Sequence, residues 1–183
     1  MQKFSKWILL ALILAVPAAG TARQSLSTPG LITSIGQSSD LAIVKALLNT
    51  RLKLGLEVNA LAKASDIGNF KTIIMVMGAS TKGLGSAGIN MDQELERTRA
   101  LLKAAREKGI RILTMHVGGE ARRGKSSNDL IEIVVPESDH VVVVASGNKD
   151  KLFNSLASRR NIPVVVAASL AAAGESVKSL FGR

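Results

Sequence analysis

The stretch KTIIMVMG, residues 71–78, is a continuous apolar run. A strand that is covered by helices on both faces is apolar throughout, as in parallel sheets. The next element is NMDQELERTRALLKAAREKG, residues 90–109, in which apolar residues recur at helical spacing. Asn90 suits the N-cap of this helix, Gln93 completes a capping box, and Gly109 suits its end. The buried stripe of the helix is predicted to be Met91, Leu95, Leu102 and Ala105. This strand–helix pair indicates an α/β fold.

The same alternation extends in both directions along the chain. Further strands are predicted at residues 31–36, 56–62, 110–117, 140–146 and 162–168. Helices are predicted at 40–52, 126–135 and 148–160, and a last one follows the final strand. Strands that alternate with helices form βαβ units. The predicted fold class is therefore α/β: a three-layer, doubly wound, mainly parallel six-stranded sheet of flavodoxin-like or Rossmann-like type.

The polarity of the second strand indicates the strand order. LEVNALA, residues 56–62, alternates apolar with polar residues, as a half-exposed strand does. We therefore place this strand at an edge, which favours the order 2-1-3-4-5-6. The alternative order 3-2-1-4-5-6 would put the apolar run 71–78 at an edge of the sheet.

The first 22 residues have the pattern of a signal peptide. Lys3 and Lys6 precede an apolar run that is too short to span a bilayer comfortably, and small residues follow Pro17. We predict cleavage after Ala22, a polar lead-in at 23–30 and a single α/β domain at 31–183. The mature protein is expected to be exported, periplasmic or extracellular, without stable membrane insertion. The alternative is an uncleaved N-terminal anchor. The absence of cysteine excludes disulfides and a lipid-anchored lipoprotein.

Charge and aromatic content limit the possible partners. The net charge of +10 falls to +8 when Lys3 and Lys6 are removed with the signal peptide. A basic exported protein attracts anionic ligands, lipid headgroups or envelope polymers. Only Phe70, Phe153 and Phe181 supply aromatic rings to the mature chain, whereas single-stranded nucleic acid is usually held by stacking on aromatic rings as well as by charge. We therefore expect an anionic small molecule as the partner, and neither a nucleic acid nor a cofactor.

Four loops are predicted at the carboxyl ends of the strands, where open α/β sheets bind ligands. They span residues 36–40, 78–90, 118–129 and 146–150. Glycines in these loops allow main-chain N–H groups to turn toward an anion, and three of the loops lead into helix N-termini. The predicted ligand-binding residues are Gly36, Gln37, Ser38, Ser39, Gly78, Ser80, Thr81, Lys82, His116, Gly118, Gly119, Glu120, Arg122, Arg123 and Asn148, and Lys125 adds a further cation. Each residue alone is more simply explained as a cap, a turn or a solvated side chain.

Several motifs of known enzymes do not fit this chain. Residues 83–88 spell G-x-G-x-x-G, but this motif starts several residues after the strand instead of directly after it. The acidic residue that dinucleotide-binding proteins carry about 20 residues further on, at the end of the next strand, is also missing. Neither a P-loop nor a G-x-S-x-G nucleophile elbow is present, and no spacing indicates a metal site. His140 is expected to be structural. His116 is the one plausible acid–base histidine and therefore the only candidate catalytic residue.

Four stretches that include these loops lie between residues 33 and 153: TSIGQSSD, MGASTKGLGSAGI, MHVGGEARRGKSSND and SGNKDKLF. Together they resemble an exported bacterial α/β family, domain-of-unknown-function family 6305. The resemblance implies export and an α/β fold, and it implies no activity or substrate.

Three hypotheses about function follow from the sequence. The first is an exported small-molecule-binding protein with an anion-recognising pocket at the carboxyl ends of strands 1, 3 and 4, and in this hypothesis the protein is not an enzyme. The second is a hydrolase-like enzyme that uses His116 with a loop serine, Ser38 or Ser80. The third is a basic adaptor on anionic envelope polymer or lipid, whose binding would fall with salt.

Overall fold

A computed structural model describes residues 25–183. The predicted signal peptide, 1–22, lies outside the described residues. Six parallel strands form one open sheet: β1 Gly30–Ile35, β2 Glu57–Val58, β3 Thr72–Met77, β4 Arg111–His116, β5 His140–Val144 and β6 Val164–Ala167. Their order is β2-β1-β3-β4-β5-β6, which confirms the predicted order and the α/β fold class. The predicted second strand, 56–62, is reduced to two residues at the edge of the sheet.

β1 and β3 are neighbouring strands inside the sheet and are buried along their whole length. They pair in parallel from Gly30 opposite Thr72 to Ile35 opposite Met77. The chain leaves β1 toward β2 on one side and leaves β3 toward β4 on the other. The carboxyl ends of β1 and β3 therefore flank the topological switch point, where such sheets bind ligands.

Helices cover both faces of the sheet. They are α1 Asp40–Lys45, which continues as a π-helical segment Ala46–Arg51, α2 Thr81–Ser86, α3 Met91–Glu107, α4 Lys125–Val134, α5 Leu152–Ser158 and α6 Leu170–Leu180. Side chains of α3, α4 and α5 pack in one apolar core, which includes Leu101, Ile131 and Phe153. Side chains of α1 and α6 pack in the other, which includes Val44 and Val177. No helix in residues 25–183 is long and apolar enough to cross a membrane.

The long helix α3 forms as predicted. Asn90 and Gln93 make a reciprocal capping box, and Gly109 has a φ of +66° just after the helix. Leu102 and Ala105 are buried, while Met91 and Leu95 are partly buried against the same core. Glu94, which the sequence did not place on the buried stripe, is fully buried.

Two other elements differ from the sequence prediction. The loop predicted at 78–90 contains the short helix α2, which Ser80 caps by accepting a hydrogen bond from the Gly83 N–H. The helix predicted at 148–160 begins only at Leu152. The helix starts later in the chain than predicted because the Asn148 side chain accepts a hydrogen bond from the Phe153 N–H. This hydrogen bond holds the residues before Leu152 in a turn.

The lead-in before β1 packs against the domain from Leu26 onward. Leu26 is buried, and its N–H donates to the carbonyl of Leu180 at 2.8 Å. The Ser27 N–H donates to the hydroxyl of Thr72. These contacts join the start of the described chain to both α6 and β3.

Candidate ligand-binding site

The loops that follow β1 and β3 are in direct contact above the switch point. The Ser80 N–H donates to the Gly36 carbonyl at 2.8 Å, and Gln37 and Ala79 form an isolated bridge. Gly36 has a φ of +99°, and a Cβ there would lie 2.5 Å from the Gly78 carbonyl oxygen. Only glycine fits this close crossing of two backbones. The structure therefore brings the first two predicted loops together.

A buried ion pair on α3 supports this crossing. Glu94 accepts hydrogen bonds from the Gly36 N–H at 2.6 Å and from the Gln37 side chain at 3.2 Å. The Arg97 guanidinium donates to both carboxylate oxygens of Glu94, at 2.7 and 2.8 Å. Arg97 also donates to the carbonyls of Ser34 and Ala62. Gln37, which the sequence suggested as a ligand contact, is therefore part of the structural support of the loop.

A second acidic residue, Asp40, lies buried at the N-terminus of α1. Its Oδ1 is 3.5 Å from the Nε of Arg122, which comes from the loop after β4. The Arg122 guanidinium also donates to the Ser39 hydroxyl at 2.9 Å. Asp40 Oδ2 is buried without a hydrogen-bond partner among the described residues. The pair thus connects the β1 and β4 loops but leaves one carboxylate oxygen unsatisfied.

Gly78 and Gly118 provide the space that the Asp40 carboxylate occupies. A Cβ at Gly118 would lie 2.3 Å from Asp40 Oδ2, and a Cβ at Gly78 would lie 3.2 Å from it. Arg122 packs over Gly118, where the same Cβ would be 2.1 Å from the arginine Cγ. Both glycines were predicted as ligand contacts, and their packing here makes room for a buried acid.

Arg123 binds different partners from Arg122, and most of its donors are used. Its Nη1 and Nη2 bind the two carboxylate oxygens of Asp150, and its Nε donates to Asn128 at 2.9 Å. Nη1 also donates to the Gly147 carbonyl, and the guanidinium lies 5.6 Å from the ring centre of Phe153. Arg123 therefore connects the β4 and β5 loops, and most of its donors are already used.

His116 is fully buried at the end of β4. Its Nδ1 is 3.0 Å from the Met77 carbonyl oxygen and its Nε2 is 3.1 Å from the Gly119 carbonyl oxygen. Burial lowers the pKa of His116 below its ordinary value, although the two carbonyls and the charge of Asp40 oppose this shift. Because both ring nitrogens face carbonyl oxygens, neither is placed to activate Ser38 or Ser80. This arrangement gives the hydrolase hypothesis no support.

A cavity of about 460 Å³ lies between the loops that follow β3 and β4. Thr81 and Leu84 of α2 line one side, and Lys125, Ser126 and Ser127 of α4 line the other. Gly124, the N-cap residue of α4, has a φ of +147° and carries no side chain that could cap the helix. The first N–H groups of α4 therefore lie at the wall of the cavity without a side-chain cap.

The remaining predicted residues are distributed around this edge. Ser38 is buried and accepts from the Asp40 N–H at 3.3 Å. Glu120 forms an ion pair with Lys149, and Asn148 donates to Asn154 at 2.6 Å. Lys82 is exposed on α2. No group of three or more His, Cys, Asp or Glu residues in the described part of the chain is arranged to hold a metal ion.

The comparison with protein families agrees with the fold. The family model described as Domain of unknown function (DUF6305) matches residues 27–181, and the chain belongs to this family. A search of curated proteins gave no match.

Proposed function

We propose that this protein is an exported small-molecule-binding protein that recognises an anionic group at the carboxyl ends of β3 and β4. The loop after β1, which the sequence also suggested, does not line the cavity concerned. The observation that carries the proposal is the N-terminus of α4, which opens onto the cavity beside α2 without a side-chain cap. Helix N-termini favour anions because their first N–H groups are unpaired and the helix dipole is positive there.

The dimensions and the lining of the cavity support this function. A volume of about 460 Å³ is within the range of roughly 300–1,000 Å³ that is typical of small-molecule sites. Thr81 offers a hydroxyl on the opposite wall. Lys125 adds positive charge, although its ammonium group is already paired with Asp129 at 2.8 Å. The main-chain N–H groups of α4 are therefore the principal donors in the proposal.

The export part of the proposal rests on the sequence of residues 1–22, with its short apolar run and small residues before Ala22. The mature net charge of +8, which remains after Lys3 and Lys6 are removed from a total of +10, favours the approach of anions. Mass spectrometry of the protein from the cell envelope should give a chain that begins at Arg23. A chain that retains residues 1–22 would contradict cleavage.

Two substitutions at Lys125 test the anion site. Calorimetric titration with inorganic phosphate and with small carboxylates measures the affinity of the wild type. Lys125→Ala removes the charge but keeps the N–H, and it should weaken binding by about threefold or less, since exposed ion pairs contribute little. Lys125→Pro also removes the N–H but fits the first position of a helix. It should weaken binding about tenfold relative to Lys125→Ala, as expected for one hydrogen bond to a charged group.

Equal affinities in the two variants would show that the helix N–H does not contact the anion. Absence of binding for every anion would contradict the proposed function. Binding that collapses between low and moderate salt in both variants alike would instead favour the basic adaptor, which uses exposed charge only.

A further inference from the structure

We propose that the ligand of the cavity beside α4 is amphipathic, with an anionic head at the N-terminus of α4 and a short aliphatic chain against α2 and the start of α3. The inference rests on the proposed function and narrows its ligand class to anions that carry an aliphatic chain. It depends on the side chains that line one cavity of about 460 Å³.

Part of the cavity lining is apolar. Leu84 of α2, Ile89 and Met91 belong to it, and so does Ala79 just after β3. Single apolar side chains near the surface are common, whereas small-molecule sites combine several of them with a few polar groups. Inorganic phosphate is only a few times larger than a water molecule, which takes about 30 Å³ in the liquid, so phosphate would leave most of the cavity unfilled. The lining therefore favours a ligand with an apolar part.

Local hydrogen bonds hold the apolar part of the lining in place. The Ile89 N–H donates to the Leu84 carbonyl at 3.1 Å, which joins the end of α2 to the segment before α3. Met91 is the first residue of α3 and directly follows Asn90, whose capping box fixes the start of this helix. An aliphatic chain would thus meet a preformed surface, and the unbranched methionine side chain can adapt to its shape.

The polar part of the lining contains a buried donor without an acceptor. Ser127 is 5% exposed, and its hydroxyl oxygen accepts a hydrogen bond from the Ala79 N–H at 2.9 Å. Its own O–H has no acceptor among residues 25–183, and a buried donor that stays unpaired is unfavourable. A carboxylate or phosphate oxygen in the cavity would supply this acceptor. The hydrogen bond to Ala79 also brings the polar and the apolar parts of the lining together.

Two ligand series test the inference by calorimetry. The first is acetate, propionate, butyrate and pentanoate, and the second compares inorganic phosphate with butyl phosphate. In at least one series the affinity should increase about twofold or more with each added methylene, since complete burial of one methylene corresponds to about fourfold. The series with the increase identifies the head group.

Three substitutions locate the chain. Ile89→Thr and Met91→Gln replace apolar groups of the lining by polar groups of similar size, and each should reduce the increase per methylene to less than half of its wild-type value. Both variants should bind acetate and inorganic phosphate within about twofold of wild type, which also shows that they fold. Ile43→Thr, on an exposed residue of α1, is the matched control and should leave both series unchanged.

Methyl signals in NMR spectra give a second measurement that needs no variant. Pentanoate or butyl phosphate should shift the methyl signals of Leu84, Ile89 and Met91, whereas acetate and inorganic phosphate should shift them much less. Methyl signals that respond equally to the long and the short ligands would overturn the inference.

The outcomes separate this inference from the proposed function. If acetate or inorganic phosphate binds but a longer chain gives no increase, the inference is wrong and the anion site stands. An increase that persists in full in both Ile89→Thr and Met91→Gln also overturns the inference, because the chain then lies elsewhere. If no compound of either series binds, both proposals fail.

Discussion

Arg123 and Asp150 form a bidentate ion pair between the β4 and β5 loops, with Nη1 3.1 Å from Oδ1 and Nη2 2.7 Å from Oδ2. The hydrogen bonds from Arg123 hold the pKa of the Asp150 carboxyl below its ordinary value. Among the residues that the structure describes, the adjacent Arg122 makes one side-chain hydrogen bond, to Ser39, and a long contact with Asp40. Two neighbouring arginines that look equivalent in sequence thus have different roles.

This difference predicts that two alanine substitutions destabilise the protein by different amounts. Arg123→Ala should lower the free energy of unfolding by about 1–3 kcal/mol, because Asn128 and the Gly147 carbonyl lose their donor. Arg122→Ala should lower it by less, because Arg122 is partly exposed and makes one hydrogen bond to Ser39 and a long contact of 3.5 Å with Asp40. Urea denaturation of both variants measures the free energies. A larger loss in Arg122→Ala would contradict the assignment of Arg123 as the structural arginine.

The buried pair Glu94–Arg97 should make a major contribution to stability. Glu94→Gln leaves the Arg97 guanidinium without its counter-charge in a largely buried place, and breaking such pairs costs about 3–5 kcal/mol. Glu96→Gln, on the exposed side of the same helix, is the matched control and should cost about 0.5 kcal/mol or less. Urea denaturation compares the two. Similar small losses in both variants would show that Glu94 does not support the β1 loop.

The lowered pKa of His116 predicts a pH dependence of stability. The unfolded histidine takes up a proton near its ordinary pKa of 6.5, whereas the ring in the folded protein stays neutral to a lower pH. The unfolded state then binds more protons, so stability is full above about pH 6.5 and is lost as the pH falls toward the folded pKa. The urea concentration at which half of the wild-type protein is unfolded should therefore decrease from pH 7 to pH 5. The same decrease should be smaller in His116→Gln.

The titration of the His116 ring protons by NMR tests the same shift directly. A folded pKa below 6.5 would show that the effect of burial outweighs that of the two carbonyl oxygens, which favour the protonated ring because a neutral ring can donate to only one of them. A folded pKa at or above 6.5 would contradict it, because the carbonyls of Met77 and Gly119 would then outweigh the effect of burial.

Two glycine-to-alanine substitutions test the space around Asp40. Gly118→Ala would place a Cβ 2.1 Å from the Arg122 Cγ and 2.3 Å from Asp40 Oδ2, so it should cost about 1–3 kcal/mol. Gly85→Ala lies in α2 with nothing within 4 Å of the new Cβ, and it should stabilise the protein by up to about 1 kcal/mol. Thermal unfolding of the two variants measures the difference. If Gly118→Ala is as stable as the wild type, the loop after β4 can rearrange at little cost in free energy.

The sequence predicted the sheet well because its signals are local. The polar second strand indicated an edge, and the capping box at Asn90 marked the start of α3. The helix α2 was missed because Gly83 and Gly85 are poor helix formers, and its cap at Ser80 was taken as a loop residue. Glu94 could have been recognised, because Thr98, Leu101 and Ala105 follow it at helical spacing on the buried stripe.

The candidate site was predicted less completely because its contacts are distant in sequence. The sequence placed four loops at the carboxyl ends of the strands, but it did not assign partners to their charged side chains. Arg123 pairs with a residue 27 positions away and Arg122 contacts a residue 83 positions away. Such pairings are decided by the packing of the loops, so neither arginine could be assigned before the fold was known.

The most direct test of the anion site is an NMR titration of the ¹⁵N-labelled mature protein with inorganic phosphate. The proposal predicts saturable shifts of the amide signals of Lys125, Ser126 and Ser127 at the N-terminus of α4, together with that of Thr81 on the opposite wall of the cavity. Signals that do not move, or small shifts spread over exposed lysines such as Lys103 and Lys149, would contradict an anion site at this position.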